Sequence, residues 1–229
     1  MKKKIIYKDL KTIDYKEAWD YQDKLFNEVL DRKANKKDGE STDNYLLFCE
    51  HPHVYTLGKS GAVNNLLIND EFLKKINATF YKIDRGGDIT YHGPGQIVGY
   101  PILDLDNFGL HLKKYIFNIE QAIIDTLKDY SIEASRLEGA TGVWLDVNDK
   151  SKTRKICAIG VRASHWVTMH GFAFNINTNL DYFNYINPCG YTDKGVTSLE
   201  KELGRKIDIE EVKDRLKIHI ADVFEASIG

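Results

Sequence analysis

The sequence is short of cysteine, of long apolar runs and of any surplus of one charge. Its 229 residues hold three cysteines, Cys49, Cys157 and Cys189. So few, and an odd number, argue against a disulfide framework. None stands in a CxxC pair, so a zinc site built on thiolates lacks its ligands. No stretch approaches the apolar length of a membrane span. Lysine and arginine number 32 against 34 acidic residues, for a net charge of −2. That balance offers no positive surplus to nucleic acid or to an anionic membrane. The segment Met1 to Asp9 is basic but lacks the apolar run of a signal peptide. The compartment expected is the reduced cytoplasm. Internal repeats and low-complexity segments are absent too.

What is present reads as an ordinary globular chain. Hydrophobic residues make up 42%, charged residues 29% and aromatics 11%, with 13 tyrosines. That composition predicts an ordered core, and the length allows one domain over residues 1–229. Apolar positions near helical spacing predict helices over residues 14–33 and 110–129. Short β-prone runs predict strands at 4–8, 45–49, 54–57, 79–83, 97–103, 142–145, 155–162 and 167–175. The last two fit a hairpin turning through Ala163–Trp166. Residues 178–196 read as irregular. Thr197 with Glu200, and Asp208 with Glu211, fit capping boxes. The second opens a helix whose core face is expected to include Val212, Leu216, Ile218, Ile220, Val223 and Phe224. The sum is an α+β fold with a mixed β-sheet and flanking helices.

Residues 85–96, Arg85-Gly-Gly-Asp-Ile-Thr-Tyr-His-Gly-Pro-Gly-Gln96, place four glycines in twelve residues between two predicted strands. Glycine lets a ligand approach the backbone closely. Backbone N–H groups in such a loop can hold a carbonyl oxygen, a phosphate or a carboxylate. The plain alternative is a turn that only needs its glycines. The concentration of Arg85, Asp88, Thr90, Tyr91, His92 and Gln96 favours ligand contact. The segment is neither a Walker A loop nor a dinucleotide-binding loop.

Cys189 lies in Asn187-Pro-Cys-Gly190, a turn-like setting that presents a thiol. Cys49 reads instead as a small buried hydrophobe. A thiol needs a nearby cation to ionise at neutral pH, and Lys155, Lys194, His92 and His170 are the candidates. Spacing alone does not choose among them. Lys155 is either an edge residue with its head in water or a residue directed into a site. His51 and His53 have the spacing of two metal ligands but no third, so a surface turn is the better reading. His170 either lines a pocket or sits satisfied in the core.

Together these segments resemble the lipoyl(octanoyl) transferase family. The carrying elements are residues 85–96 with Tyr100-Pro101, Lys155-Ile-Cys-Ala-Ile-Gly160, His170-Gly-Phe-Ala-Phe-Asn175 and Pro188-Cys-Gly190. They span about residues 45–205 in the family's order. The resemblance implies a biotin/lipoate protein ligase-like fold and a catalytic pair of Cys189 and Lys155. It implies that Arg85, Gly86, Gly87, Asp88, Ile89, Thr90, Tyr91 and His92 contact the acyl group. Ala158, Ile159 and Gly160, and Gly171, Phe172 and Ala173, are the further contact stretches. The implied reaction moves an octanoyl group from octanoyl-acyl carrier protein onto a lysine, through a thioester on Cys189. The implied acceptors are lipoyl domains of 2-oxoacid dehydrogenase E2 subunits and the glycine-cleavage H protein. Neither ATP nor a metal is expected. Cys157, two residues from Lys155 on the same predicted strand, is expected on the same face. The rival activities are an ATP-dependent lipoate or biotin ligase, a non-catalytic carrier-binding module and a cysteine hydrolase.

Overall fold

Period-two burial in the segment Tyr45–Glu50 sends Leu46 and Phe48 into one core and Leu47 and Cys49 into another. A strand buried on both faces belongs inside a sheet covered on both sides. The computed structural model describes residues 3–37, 40–187 and 195–229. Within them the chain runs β1 (Lys3–Thr12), α1 (Tyr15–Asn35), β2 (Tyr45–Glu50), β3 (Val54–Leu57) and a 3-10 turn at Val63–Asn65. It continues through α2 (Asp70–Lys75), β4 (Thr79–Lys82), β5 (Ile89–His92), β6 (Gln96–Ile102), α3 (Leu105–Phe108) and α4 (Leu112–Lys128). Next come β7 (Ser135–Leu137), β8 (Ala140–Leu145), β9 (Arg154–Ser164), β10 (Val167–Asn175) and a 3-10 segment at Leu180–Tyr185. The chain closes with β11 (Gly195–Val196), α5 (Leu199–Leu203), α6 (Ile209–Val223) and β12 (Ala226–Ile228).

The large sheet has the order β12-β1-β2-β6-β10-β9-β8-β7, with β11 added beside β9; a small sheet has the order β4-β3-β5. Both parallel and antiparallel pairs occur, β1 running parallel to β2 and β2 antiparallel to β6. β6 and β10 lie at the centre and every residue in them is buried. On one face α4 and α6 bury Ile119, Ile123, Val212, Leu216 and Ile220 against Phe48, Ile97, Phe172 and Phe174. On the other, α1 lays Ala18, Leu25, Phe26 and Val29 over Leu47, Val98 and Met169. α1 covers only part of that face, and the small sheet stands over the rest.

Local chemistry sets the element ends. The Asp14 carboxylate accepts from the Lys16 N–H at 2.8 Å and caps α1. Asp208 caps α6 in the same way. The β9–β10 hairpin turns on His165 and Trp166, at φ 47° and 64°. Two successive positive φ values mark the turn whose twist matches the flanking strands.

Several expectations shift. The cap of α5 is Ser198, not Thr197: its hydroxyl accepts from the Lys201 N–H at 3.2 Å, while the Thr197 hydroxyl donates to Glu202. Ile218 is 61% exposed, off the core face of α6. His51 is no surface residue. It is fully buried, donates from Nδ1 to the Ile13 carbonyl and accepts from the Tyr100 hydroxyl, at 2.8 and 2.7 Å. The 178–196 stretch contains the second 3-10 segment and β11.

Candidate active site

A cavity of about 960 Å³ opens between the two sheets. Its floor is the face of β6, β10 and β9 that α1 leaves uncovered. β5 and the glycine-rich loop form one wall, and the 3-10 segment 180–185 forms another. The floor is made of small residues. Gly160 pairs with Gly171, and Ala158 with Ala173, across the β9–β10 ladder. Four adjacent positions without bulk let a linear ligand lie against the sheet.

Gly160 serves a second purpose. A Cβ there would stand 2.8 Å from the Gly86 carbonyl and 3.1 Å from Arg85 Cδ. The missing side chain is what lets the loop close onto β9, where the Gly86 N–H donates to the Val161 carbonyl at 2.9 Å. Arg85 is buried against this contact. Its Nη2 donates to the Thr56 carbonyl and hydroxyl at 2.7 and 3.0 Å, and its Nη1 to the Gly86 carbonyl at 3.0 Å. Burial lowers its pKa, but a guanidinium keeps its proton throughout the physiological range. The loop thus carries a fixed positive charge into the wall.

Of the eight acyl-contact residues expected in this loop, Arg85, Gly87, Asp88, Ile89, Thr90 and His92 line the cavity. Gly86 and Tyr91 stand behind the wall. Tyr91 is held by its own contacts: its hydroxyl meets His53 Nδ1 at 2.7 Å and its ring stacks on Tyr182 at 5.0 Å. Ala158, Ile159, Gly160, Gly171, Phe172 and Ala173 all line the cavity.

Lys155 lies at the far end of the floor. Its Nζ sits 4.5 Å above the Trp144 ring and donates to the Thr141 carbonyl at 3.2 Å. Burial outweighs the opposing influence of Cys157 and Glu120, and pulls its pKa down to about 8. The amine is therefore neutral in a useful fraction of molecules near neutral pH. Cys157 departs from its expected place. The β8–β9 register shifts between Val143 and Trp144, which pair with Cys157 and Lys155. The irregularity breaks simple alternation: Lys155 lines the cavity, and Cys157 is fully buried in the core with its pKa raised by desolvation.

A buried polar chain crosses the cavity. His92 Nδ1 donates to the Gln96 side-chain oxygen at 2.9 Å. Gln96 donates to the Asn175 side-chain oxygen at 2.8 Å, and Asn175 to the Thr197 carbonyl at 3.0 Å. The Thr197 N–H in turn donates to the Lys155 carbonyl at 2.9 Å. Burial, and His51 beyond it, push the His92 pKa down to about 3. His92 is neutral here and orients Gln96. His170 is also buried and paired with Asp84 at 2.8 Å, with burial lowering its pKa. Neither histidine is a standing cation for a thiol.

Cys189 and Lys194 lie outside the described residues. The chain leaves the described part at Asn187 and re-enters at Gly195, and both line the cavity. Trp144, Thr141, Glu120 and Asn65 had no signal in the sequence. Asn65 donates to Asp88 at 2.7 Å and accepts the Asn187 N–H on its own carbonyl at 2.8 Å. It therefore ties the glycine-rich loop to residue 187.

The fold is that of lipoate-protein ligases of known structure. An ATP-bound lipoate-protein ligase A superposes with a TM-score of 0.71 at 15% identity, over 100% of this chain and 88% of that one. The bipartite lipoate protein ligase of Thermoplasma acidophilum, described with its E2 lipoyl domain, gives 0.68 at 14%, over 100% and 86%. Residues 14–221 match the lipoyl protein ligase A/B catalytic domain, and the chain belongs to that family. An octanoyltransferase of Bacteroides fragilis (strain YCH46) is 60% identical over 213 residues, 93% of this chain and 95% of that protein. One from Christiangramia forsetii is 57% identical over 232 residues, 100% and 99% of the two. The expected fold and family are met.

Proposed function

We infer that this chain is an octanoyltransferase, as its full-length relatives are named, and that it works by a covalent route through Cys189 and Lys155. The carrying observation is Lys155: an amine with its pKa pulled to about 8 at the end of a small-residue floor. The donor proposed is octanoyl-acyl carrier protein. Cys189 as thiolate attacks the thioester carbonyl, the carbon–sulfur bond to the carrier breaks, and the carrier thiolate leaves. Ionised Lys155 stabilises the attacking thiolate and then gives its proton to the departing carrier thiolate, which leaves the amine neutral for the second half-reaction. The acceptor proposed is a lysine of a lipoyl domain, on a 2-oxoacid dehydrogenase E2 subunit or the glycine-cleavage H protein. Its amine attacks the enzyme thioester, an amide forms, and Cys189 leaves as thiolate.

The acceptor amine sets the chemical difficulty. With an ordinary pKa near 10.4, only about one in a few thousand is neutral at pH 7. Neutral Lys155 takes the proton released as the amide forms. The donor is already activated and thioester to amide runs downhill, so the proposal needs neither ATP nor a metal. A ligase of the same fold would need ATP, and ATP–pyrophosphate exchange separates the two.

The direct test is to mix the protein with octanoyl-acyl carrier protein and weigh it. One octanoyl adduct is expected on the parent and none on Cys189→Ala. An adduct that persists in Cys189→Ala overturns the assignment of the thiol.

A further inference from the structure

Glu120 sits on α4, buried, on the side of the helix that faces the core. A buried carboxylate is costly unless it is paired and hydrogen-bonded. Both oxygens are engaged. One accepts the Gly142 N–H at 3.0 Å, and the other accepts Arg136 Nε at 2.9 Å. Arg136 is itself fixed, donating to the Phe117 carbonyl at 2.9 Å and lying 3.6 Å over the Phe117 ring.

Gly142 directly precedes the slip of the β8–β9 ladder, which falls between Val143 and Trp144. It has φ 127°, a conformation that disfavours side chains. A Cβ there would stand 2.6 Å from the Cys157 carbonyl and 3.3 Å from Lys155 Cε. Nearby residues of β8 hold the ammonium: Thr141 by its carbonyl and Trp144, two residues on, by its ring. The Gly142 N–H is given to Glu120, on the helical side of the sheet. One carboxylate therefore pins the irregular turn of β8 that cradles Lys155.

We propose that Glu120 is a positioning residue for Lys155, holding the β8 irregularity in place and setting a buried negative charge behind the ammonium. This rests on the reading of Lys155 as proton acceptor. Glu120 opposes the fall in the Lys155 pKa that burial causes, as does Cys157 on its own strand. Among the described residues, Asp181 and Lys201 are further charged groups on the cavity wall. Arg136 tempers the Glu120 charge from the far side.

The test reads Lys155 directly. The pH dependence of its modification by an amine-reactive acylating reagent is followed by peptide mass on the full-length protein. Glu120→Gln keeps an oxygen for the Gly142 N–H but removes the charge. Its modification midpoint is expected to fall by about half a pH unit or more, and the rising limb of the transfer rate to move with it. Arg136→Gln leaves the Glu120 charge uncompensated, so its midpoint is expected to rise. It also serves if Glu120→Gln fails to fold. Midpoints equal to the parent's in the folded variants overturn the proposal. If the midpoints move but Lys155→Ala still transfers octanoyl at the parental rate, the catalytic reading of Lys155 fails and the coupling to Glu120 stands.

Discussion

At the scale of single residues, the weight falls on one amine. Lys155 folds with a pKa lowered by burial to about 8, against 10.5 for the ordinary side chain. The protonated form is thus disfavoured in the fold, by up to about 3 kcal/mol. The unfolded state holds the proton between the two values, so stability conferred at this site rises as pH climbs from 8 to 10.5. Below pH 8 the full penalty applies. Lys155→Met is therefore expected to melt no lower than the parent at pH 7, with any advantage shrinking by pH 10. Thermal unfolding at the two pH values checks this. The same variant should lose transfer by about 10²- to 10⁴-fold, the usual worth of a general base. A melt that drops sharply at pH 7 would mean that the Trp144 and Thr141 contacts outweigh desolvation. In the parent, transfer from the preformed enzyme thioester to the acceptor should rise with pH around a midpoint near 8. A flat profile from pH 6.5 to 9 would remove Lys155 as the base. His92 should leave no mark on that profile, since burial keeps it neutral down to about pH 3.

At the scale of elements, β9 and β10 make the cavity by omission. Their facing pairs, Gly160 with Gly171 and Ala158 with Ala173, leave the floor without bulk. Ala173→Leu should fill part of that space and reduce octanoyl transfer at least tenfold while sparing shorter acyl groups. Comparing butanoyl and octanoyl thioesters in one assay tests it, and an equal loss on both would show that the floor does not measure chain length. Gly160→Ala should act differently, through the loop. Its Cβ meets backbone at 2.8 Å, so about 1–3 kcal/mol of destabilisation is expected, with transfer falling for every chain length. Much of this layout was legible. Alternation and helical spacing placed α1, α4, α6 and the strands β1–β4, β6 and β8–β10, but not β5, β7, β11 or β12, and Asp208 was readable as a cap. The glycine-rich loop, the 158–160 and 171–173 stretches and Lys155 were legible as motif. What was not legible depends on neighbours far along the chain. The β8–β9 bulge that parts Lys155 from Cys157 arises in the pairing of two strands, beside a Gly142 N–H held by Glu120 on another element. Tyr91 turns away because Tyr182 waits for its ring. Ser198 takes the cap because Thr197 is drawn to Glu202.

At the scale of the molecule, the large sheet separates duties. Its helical face, under α4 and α6, holds the larger apolar core, and its other face holds the cavity. Among the described residues no helix is long and apolar enough to cross a membrane. β8 is where the two faces communicate, through Glu120 and Gly142. Elsewhere, damage to the helical side should cost stability and leave chemistry alone. Leu216 is a clean probe: fully buried on α6, within the core and away from the cavity wall. Leu216→Ala is expected to destabilise by about 2–5 kcal/mol through lost burial and the void left behind. Well below the melting range its kcat should stay within about twofold of the parent, because neither the floor nor the Lys155 cradle depends on that side chain. Urea unfolding and transfer kinetics on one preparation give both numbers. A large fall in kcat in the still-folded protein would mean that the helical layer tunes the cavity through the sheet as a whole, and that Glu120 is only one of several contacts reaching across it.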